Sequence, residues 1–414
     1  MLSYSETLSY LYNSTPVFER IGASAYKEGL SNTLALDEHL GHPHRSFRTI
    51  HIAGTNGKGS CSHTLASILQ AAGLRVGLYT SPHLVDFRER IRVNGLCISK
   101  KRVVDFVEKE RRFFEPLHPS FFELTTALAF KYFEEQKVDI AVVEVGLGGR
   151  LDCTNIITPE LSIITNISFD HTQFLGSTLA EIAAEKAGII KIGVPVVIGE
   201  TTEETRPVFE RIAKERQAPI YFAEETDLSA YDGMEMELKG SYQTANRRTI
   251  LCACNVLNIE CEAIRKGMAN VCESTGLEGR WQTLRREPLV ICDTGHNLGG
   301  WQYLAPQIAA QPCRQLRIVF GMVDDKDIDA VMALLPRNAV YYWAQASTHR
   351  AIPHSIVREK GERHGLVGQE FDNVESAYRQ ALSEADKHDF IFVGGSSYVV
   401  ADLLSSPLAR RKKR

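Results

Sequence analysis

Three features are missing from this 414-residue sequence, and each absence removes a class of protein. No apolar run approaches the length of a membrane-spanning helix, and residues 1–20 lack the apolar core of a signal peptide, so we expect a cytoplasmic protein. The nine cysteines are scattered without a CxxC pair, so neither a disulfide framework nor a zinc cage is indicated. The net charge of -4 gives no general basic field for nucleic acid, and we interpret residues 410–414 as a solvated basic tail.

The composition is that of a globular protein with more than one core. Apolar residues make up 44% of the chain and charged residues 24%, which is typical of an ordered protein and not of a disordered chain. A chain of this length is too long for one ordinary core and predicts two or three domains. Cys252, Cys254 and Cys261 lie in a segment rich in small apolar residues, and we expect them to be buried.

A glycine-rich loop organises the sequence, because it lies between a predicted strand at residues 48–52 and a predicted helix at residues 61–72. Such a loop points backbone N–H groups at one spot, where the helix N-terminus adds partial positive charge and Lys58 adds a full one. A phosphate would fit there, with the Ser60 hydroxyl on a magnesium ion. The alternative is a glycine-rich turn without a ligand. The candidate nucleotide-binding residues of this loop are Gly54, Thr55, Asn56, Gly57, Lys58, Gly59 and Ser60.

Two further predicted strands end in residues that suit a metal ion. Residues 138–145 form a near-continuous apolar run, typical of a parallel strand covered on both faces, and Glu144 lies at its carboxyl end. Residues 161–167 form a second such strand, which is followed by Asp170 and His171. We expect Glu144 and His171 to hold magnesium, directly or through water. The alternatives are an exposed strand-end charge for Glu144 and a structural role for His171.

A lysine is predicted to lie on the apolar face of a helix. Thr178 and Glu181 have the spacing of a capping box, so we expect a helix to begin there. On that helix Lys186 shares a face with Ile182 and Ile190. Burial would favour the uncharged amine, whereas the alternative is a side chain that extends to solvent.

The pattern of strands and helices restarts near Pro288. Short apolar strands alternate with helical stretches, which predicts a second, smaller and largely parallel sheet. The predicted strands are residues 289–292, 316–322, 340–344 and 390–393. In the N-terminal part we further expect helical segments at residues 4–12, 34–40, 250–257 and 261–268, and a helix that begins at Phe121.

Several ordered motifs between residues 45 and 400 resemble those of the Mur ligase superfamily, in particular its folate branch, the folylpolyglutamate and dihydrofolate synthases. These motifs are GTNGKGS at 54–60, SPHL at 81–84, VGLGGRLDCTN at 145–155, AEKAGI at 184–189, GSYQTAN at 240–246, GRW at 279–281 and DTGHN at 293–297. The resemblance implies an α/β fold. It places a P-loop-type ATPase domain with a mainly parallel sheet at residues 1–279, and a smaller Rossmann-like glutamate-ligase domain at residues 280–414.

The resemblance also implies cofactors and site residues. The cofactors are ATP and two Mg²⁺ ions, with Ser81 as a further metal ligand and Lys186 carbamylated so that its anion helps to hold the second ion. The catalytic residues that the resemblance implies are Lys58, Lys186, Arg280 and His296. It further implies that Asn246 contacts the adenine, Asp293 the ribose and Arg280 the γ-phosphate, and that Phe121, Phe122 and Asp152 lie near a pterin pocket.

The activity that the resemblance implies is ATP-dependent amide formation. An acceptor carboxylate would become an acyl phosphate with release of ADP, and the amino group of L-glutamate would then displace phosphate. We expect dihydropteroate and reduced folates as acceptors, as in bifunctional enzymes. The alternative within the family is a monofunctional enzyme of either type, and a non-catalytic nucleotide-binding switch is a further alternative. We expect a monomer whose partners are small molecules, without nucleic acid or membrane.

Overall fold

The computed structural model describes residues 2–15, 29–324 and 326–409, so the basic run at residues 410–414 lies outside the described residues. The chain forms two compact units. The first unit comprises Met1–His83, Phe87–Glu237 and Gln243–Leu277, and the second comprises Leu84–Asp86, Leu238–Tyr242 and Glu278–Arg414. Segments that are distant in sequence therefore complete each unit.

The helices and strands of the first unit alternate along most of its length. Its helices are α1 Tyr4–Ser14, α2 Ser31–His39, α3 Lys58–Ala71, α4 Lys100–Phe114, α5 Phe121–Glu135, α6 Thr172–Leu175, α7 Leu179–Ala187, α8 Arg206–Glu215, α9 Gln243–Val256, α10 Cys261–Met268 and α11 Val271–Thr275. Its strands are β1 Arg48–Ala53, β2 Val76–Tyr79, β3 Ile91–Val93, β4 Leu96–Cys97, β5 Ile140–Glu144, β6 Leu161–Ile164, β7 Val196–Ile198 and β8 Ile220–Phe222.

These strands form one eight-stranded sheet in the order β4-β3-β2-β5-β1-β6-β7-β8. The pairs from β2 to β8 are parallel, whereas β3 and β4 are antiparallel at one edge. Every residue of β5 and β6 is buried, as expected of strands that are covered on both faces. Because parallel strands end at the same edge, the loops that follow β2, β5, β1, β6 and β7 lie together.

The second unit repeats this construction on a smaller scale. Its elements are β9 Gln282–Arg286, β10 Leu289–Asp293, α12 Leu298–Ala309, β11 Leu316–Phe320, α13 Ile328–Met332, β12 Ala339–Ala344, α14 His354–Arg363, β13 Gly368–Phe371, α15 Val374–Glu384, β14 Phe390–Gly394 and α16 Ser397–Ser405. The six-stranded sheet has the order β13-β12-β11-β14-β10-β9. All of its pairs are parallel except β9 with β10.

The predicted α/β fold with two mainly parallel sheets is confirmed. The predicted helix at Thr178 is confirmed as α7, which begins with the expected capping box between Thr178 and Glu181. The prediction that Cys261 is buried was wrong, because Cys261 is the first residue of α10 and is exposed, whereas Cys252 and Cys254 are buried within α9. No helix within the described ranges is long and apolar enough to cross a membrane.

Candidate active site

The glycine-rich loop lies at the carboxyl end of β1 and leads directly into α3. Gly57 is the residue before α3 and has a φ of 85°, in the left-handed region that glycine adopts readily. The N–H groups of the first helical turn have no carbonyl of a preceding turn to bond, and they add partial positive charge at this end. The Lys58 ammonium donates to the carbonyl oxygens of Gly54 and Thr55, at 3.0 and 3.2 Å. This geometry is that of an anion-binding loop.

The loop after β6 holds the glycine-rich loop in place. The Thr165 hydroxyl donates to the carbonyl oxygen of Asn56 at 2.6 Å, and the Asn56 N–H donates to Oδ1 of Asn166 at 2.9 Å. The Thr55 hydroxyl donates to the carbonyl oxygen of Ser168 and accepts from its N–H, both at 3.1 Å. These bonds fix the backbone of the loop before any ligand binds.

Two residues of α9, Gln243 and Asn246, also lie against this loop. Nε2 of Gln243 donates to the Ser60 hydroxyl at 3.1 Å. Nδ2 of Asn246 in turn donates to Oε1 of Gln243 at 2.9 Å. A Cβ atom at Gly57 would lie only 2.2 Å from Oδ1 of Asn246, so this position requires glycine. Asn246 therefore packs against the glycine-rich loop, and its predicted contact with adenine stays a prediction.

The predicted metal ligands lie at the same edge of the first sheet. The buried Glu144 carboxylate accepts from the Ser81 N–H at 3.4 Å. His171 has a φ of 50°, and its Nε2 lies 3.8 Å from Oδ1 of Asp170. Within the described ranges, no group of three or more His, Cys, Asp and Glu side chains is placed to hold a metal ion. A metal at this edge would therefore need hydroxyl, phosphate and water oxygens beside a carboxylate, which is the donor set that Mg²⁺ prefers.

Lys186 on α7 is buried, with 4% of its surface exposed, as the helical pattern predicted. Burial and the positive charge of Lys58 lower the pKa of Lys186 to about 7, whereas the carboxylates of Asp170 and Asp152 oppose that shift. The charges of Lys58, Asp170 and Asp152 therefore each act on the Lys186 amine. At neutral pH a substantial fraction of the Lys186 amine is unprotonated and nucleophilic.

Asp152 is fully engaged by its own loop. Its Oδ2 atom accepts from the N–H groups of Gly146 and Leu147, at 3.0 and 2.9 Å. Its Oδ1 atom accepts from the N–H and the hydroxyl of Thr154, at 3.0 and 2.5 Å. Burial raises the pKa of Asp152, and the four donors oppose the rise. The structure thus gives Asp152 a role in shaping the loop after β5, and its predicted place near a pterin pocket stays a prediction.

The predicted aromatic pair divides between the core and the loop. Phe121 is buried and stacks on Tyr12, with ring centroids 5.2 Å apart. Phe122 is half-buried and stacks on Tyr79 at 5.8 Å. Its ring lies so close to the backbone after β5 that a Cβ atom at Gly146 would be 2.6 Å away. Only Phe122 presents part of its ring beside this loop, so it is the better placed of the two to meet a ligand.

In the second unit, Asp293 at the end of β10 is buried and accepts three hydrogen bonds. The donors are the Tyr242 hydroxyl at 2.6 Å, the Trp281 N–H at 2.7 Å and the Gly295 N–H at 2.8 Å. Burial raises the pKa of Asp293, and the positive charge of Arg280 opposes the rise. Asp293 thus ties together segments of the second unit that are 51 residues apart in sequence.

The two remaining predicted residues of the second unit lie close to Asp293. Arg280 is half-buried, and one of its terminal nitrogens donates to the carbonyl oxygen of Gly279 at 3.3 Å. Nδ1 of His296 lies 3.0 Å from the carbonyl oxygen of Thr294. Their predicted roles towards nucleotide phosphates stay predictions.

Sequence reasoning assigned no role to several residues that build the site. Thr165, Asn166 and Gln243 all form hydrogen bonds to residues of the glycine-rich loop. Gln243 was part of a recognised motif, and its spacing of three residues before Asn246 was the available signal. Thr165 and Asn166 were expected inside the strand predicted at residues 161–167, whereas β6 ends at Ile164 and leaves both in the loop that follows.

Comparison with known proteins decides the family. The Mur ligase middle domain matches residues 52–246, and the glutamate ligase domain of Mur ligases matches residues 279–397. A dihydrofolate synthase/folylpolyglutamate synthase of Bacillus subtilis is 32% identical, over 91% of this chain and 94% of its own length. This chain belongs to the dihydrofolate synthase/folylpolyglutamate synthase family of Mur ligases. The predicted resemblance is confirmed.

Other members of this family differ in length and in the ligands that they hold. A probable bifunctional folylpolyglutamate synthase/dihydropteroate synthase of Haloferax volcanii is 32% identical over 97% of this chain. This chain spans only 50% of the length of that relative. The E. coli FolC structure in complex with DHPP and ADP has a TM-score of 0.86 and 31% identity, and covers 97% of this chain and 96% of its own. A bifunctional folylpolyglutamate synthase/dihydrofolate synthase with Mn, AMPPNP and L-glutamate bound has a TM-score of 0.83 and 32% identity, with 98% of each chain covered.

Proposed function

We propose that this chain is an ATP-dependent, ADP-forming ligase that joins the amino group of L-glutamate to a pteridine carboxylate. The proposed acceptors are dihydropteroate and reduced folates, so that one site performs both reactions that the Bacillus subtilis relative is named for. The observation that supports the proposal most directly is the buried Lys186 amine, whose pKa is lowered by burial and by the positive charge of Lys58. A nucleotide-binding switch would need the loop alone and would have no use for a buried amine.

The proposed reaction has two steps. A carboxylate oxygen of the acceptor attacks the γ-phosphorus of ATP, the bond from that phosphorus to ADP breaks, and an acyl phosphate forms. The unprotonated amino group of L-glutamate then attacks the acyl carbon, its nitrogen loses a proton, and the bond from the acyl carbon to the phosphate oxygen breaks, which leaves an amide and inorganic phosphate. Phosphoryl transfer mainly requires positioning and charge neutralisation. Lys58 and the N–H groups at the start of α3 are suited to hold the phosphates of ATP during the first step.

Ser60, Ser81, Glu144 and His171 are the residues that we propose to hold two magnesium ions. The oxygen donors of this set suit a hard cation, and the buried Glu144 carboxylate supplies the opposite charge. When bound, such ions neutralise charge on the phosphates and orient them. The relative whose structure holds Mn together with AMPPNP supports a divalent metal as a cofactor.

Lys186 is proposed to join this set as a carbamate. Its pKa of about 7 leaves unprotonated amine at neutral pH, and the nitrogen of that amine can attack the carbon of CO₂. An N–C bond forms, the nitrogen loses a proton, and the product is an anion in place of a cation. An ammonium at this position would repel a magnesium ion, whereas a carbamate would attract it.

The two domains are proposed to divide the work, with residues 1–279 binding ATP and residues 280–414 forming the glutamate-ligase domain. In the second domain Arg280 would neutralise charge on the γ-phosphate, and His296 would lie near the phosphates of the nucleotide. Asp293 and Asn246 would contact the nucleoside, and both are held rigidly by the bonds described above.

The test is product formation by the purified chain with Mg²⁺, ATP and L-glutamate. Dihydropteroate and tetrahydrofolate serve as separate acceptors, and mass spectrometry follows the gain of one glutamyl residue. We expect both acceptors to gain glutamate and Lys58→Ala to abolish the gain with both. Lys214→Met, which removes an exposed lysine of α8, is the matched control and should retain activity.

Each outcome selects one function. Gain of glutamate by both acceptors supports a bifunctional enzyme, and gain by one alone identifies a monofunctional enzyme of that type. Gain by neither acceptor, in a preparation that binds ATP, would overturn the assignment to pteridine substrates. Full activity of Lys58→Ala would overturn the role of the glycine-rich loop.

We also propose that the enzyme acts as a monomer in the cytoplasm. All nine cysteines are free thiols, which fits a reducing compartment. Light scattering coupled to size-exclusion chromatography measures the mass in solution, and a mass of twice 46.2 kDa would contradict the proposed monomer.

A further inference from the structure

A buried chain of hydrogen bonds connects β1 to the loop after β5. His51 lies in β1, three residues before Gly54, and is completely buried. Its Nε2 atom lies 2.8 Å from the Thr154 hydroxyl oxygen, and that hydroxyl lies 2.5 Å from Oδ1 of Asp152. Side chains from separate segments thus form one line, from His51 through Thr154 to the Asp152 carboxylate.

The direction of these bonds follows from the partners that each atom has. Among the described residues, Nδ1 of His51 has no hydrogen-bond partner, and a buried N–H without a partner is rare and costly. The proton of the neutral ring therefore belongs on Nε2, which donates to the Thr154 hydroxyl. That hydroxyl in turn donates to the Asp152 carboxylate. Burial and the charge of Lys191 lower the pKa of His51 to about 3, so the ring stays neutral throughout the working range of pH.

The carboxylate at the end of this line fixes the backbone that meets Phe122. Oδ2 of Asp152 accepts from the N–H groups of Gly146 and Leu147, and the ring of Phe122 packs directly on Gly146. Without the Thr154 hydroxyl, Asp152 would lose one of its four donors and the restraint on the orientation of its carboxylate. The backbone at Gly146 would then lose its fixed position under the Phe122 ring.

We propose that His51 and Thr154 are positioning residues for the pteridine acceptor, because they orient Asp152 and thereby the loop that supports Phe122. This inference rests on the proposed function, which supplies the acceptor, and on the predicted place of Phe122 and Asp152 near the pterin pocket. The line begins in the strand that leads into the phosphate-binding loop, but its bonds end at the loop after β5. It therefore acts on binding of the acceptor and leaves binding of ATP unchanged.

The test compares Thr154→Val, which removes the hydroxyl at nearly constant volume, with Thr154→Ser, which retains it. Loss of a hydrogen bond to a buried carboxylate is expected to raise the KM for the pteridine acceptor about 10-fold or more in Thr154→Val. The KM for ATP should stay at the wild-type value, and Thr154→Ser should restore the KM for the acceptor. Hydrogen exchange in the peptide covering residues 145–151 should be faster in Thr154→Val than in Thr154→Ser.

A second pair tests the other end of the line and remains informative if Thr154→Val does not fold. His51→Met removes the donor to Thr154, whereas His51→Gln offers an amide N–H at the place of Nε2. We expect His51→Met to raise the KM for the acceptor and His51→Gln to restore it. The double variant His51→Met/Thr154→Val should be no worse than Thr154→Val alone, because both changes break the same line.

The outcomes separate this inference from the proposed function. A wild-type chain that transfers glutamate to neither pteridine would overturn the proposed function itself. A wild-type chain that is active, with variants that raise the KM for ATP and for the acceptor equally, would overturn the positioning role and leave the proposed function standing. Variants that lose only thermal stability, with wild-type KM values, would also overturn it.

Discussion

Replacing Lys186 with methionine should stabilise the chain at low pH and should do so less as the pH rises. The pKa of Lys186 falls from 10.5 to about 7 on folding, so burying its charge costs about 5 kcal/mol where both states hold the proton. Between these two pKa values the unfolded chain binds the proton and the folded chain does not. The stability of the wild type therefore rises with pH through that window, by about 3 kcal/mol from pH 6 to pH 9. Lys186→Met lacks this dependence.

The assay is urea unfolding in buffer free of CO₂, metal and nucleotide, at several values of pH from 6 to 9. All three tryptophans, Trp281, Trp301 and Trp343, lie in the second unit, so their fluorescence does not report on α7. Unfolding of the first unit in urea is therefore followed by hydrogen exchange in peptides from β1 and β5. The exposed Lys214→Met variant should keep the pH dependence of the wild type.

The test compares the unfolding free energy of Lys186→Met with that of the wild type at each pH. We expect Lys186→Met to be more stable by about 5 kcal/mol at pH 6 and by about 2 kcal/mol at pH 9. A difference that is constant over this range would refute the buried, readily deprotonated amine. Bicarbonate should further stabilise the wild type and leave Lys186→Met unchanged, because the variant has no amine to carbamylate.

Two further substitutions test the packing of each unit. Gly57→Ala should weaken ATP binding and lower the unfolding free energy by about 2 kcal/mol or more, because its Cβ would lie 2.2 Å from Asn246 Oδ1; isothermal titration and urea unfolding measure both. Gly193→Ala is the control, since its φ of 70° brings similar backbone strain with nothing within 4 Å, and unchanged ATP binding is expected. Tyr242→Phe should lower the unfolding free energy of the second unit by about 1–3 kcal/mol, because it removes a donor from the buried Asp293 carboxylate. Tryptophan fluorescence during unfolding of the second unit measures that loss. Equal effects of both glycine variants on ATP binding, or a Tyr242→Phe variant as stable as the wild type, would contradict these expectations.

The strands that build the two sheets could be predicted where they are continuously apolar. β5 and β6 are buried throughout, and their apolar runs were sufficient to find them. β9 was missed because its sequence, Gln-Thr-Leu-Arg-Arg, is polar, as an edge strand permits. α9 begins at Gln243, earlier than its apolar stretch suggested, because its first turn contacts the glycine-rich loop and not a hydrophobic core.

The candidate site could be located from the sequence, but its internal bonds could not. Polar residues after buried strands and a glycine-rich loop mark the edge where ligands bind. The partners of those residues depend on long-range contacts, such as the bond between Gln243 and Ser60, which are 183 residues apart. The Asp152 carboxylate likewise accepts hydrogen bonds from N–H groups of its own loop. These bonds depend on the backbone conformation after β5, which no local sequence pattern specifies.

The central claim is that ATP activates the acceptor carboxylate as an acyl phosphate before glutamate attacks it. Its most direct test uses dihydropteroate labelled with ¹⁸O in both carboxylate oxygens, with ATP, Mg²⁺ and L-glutamate. The account predicts that each inorganic phosphate released contains one ¹⁸O atom, because the bond between the acyl carbon and that oxygen breaks in the second step. Amide formation that leaves the phosphate without ¹⁸O would contradict it.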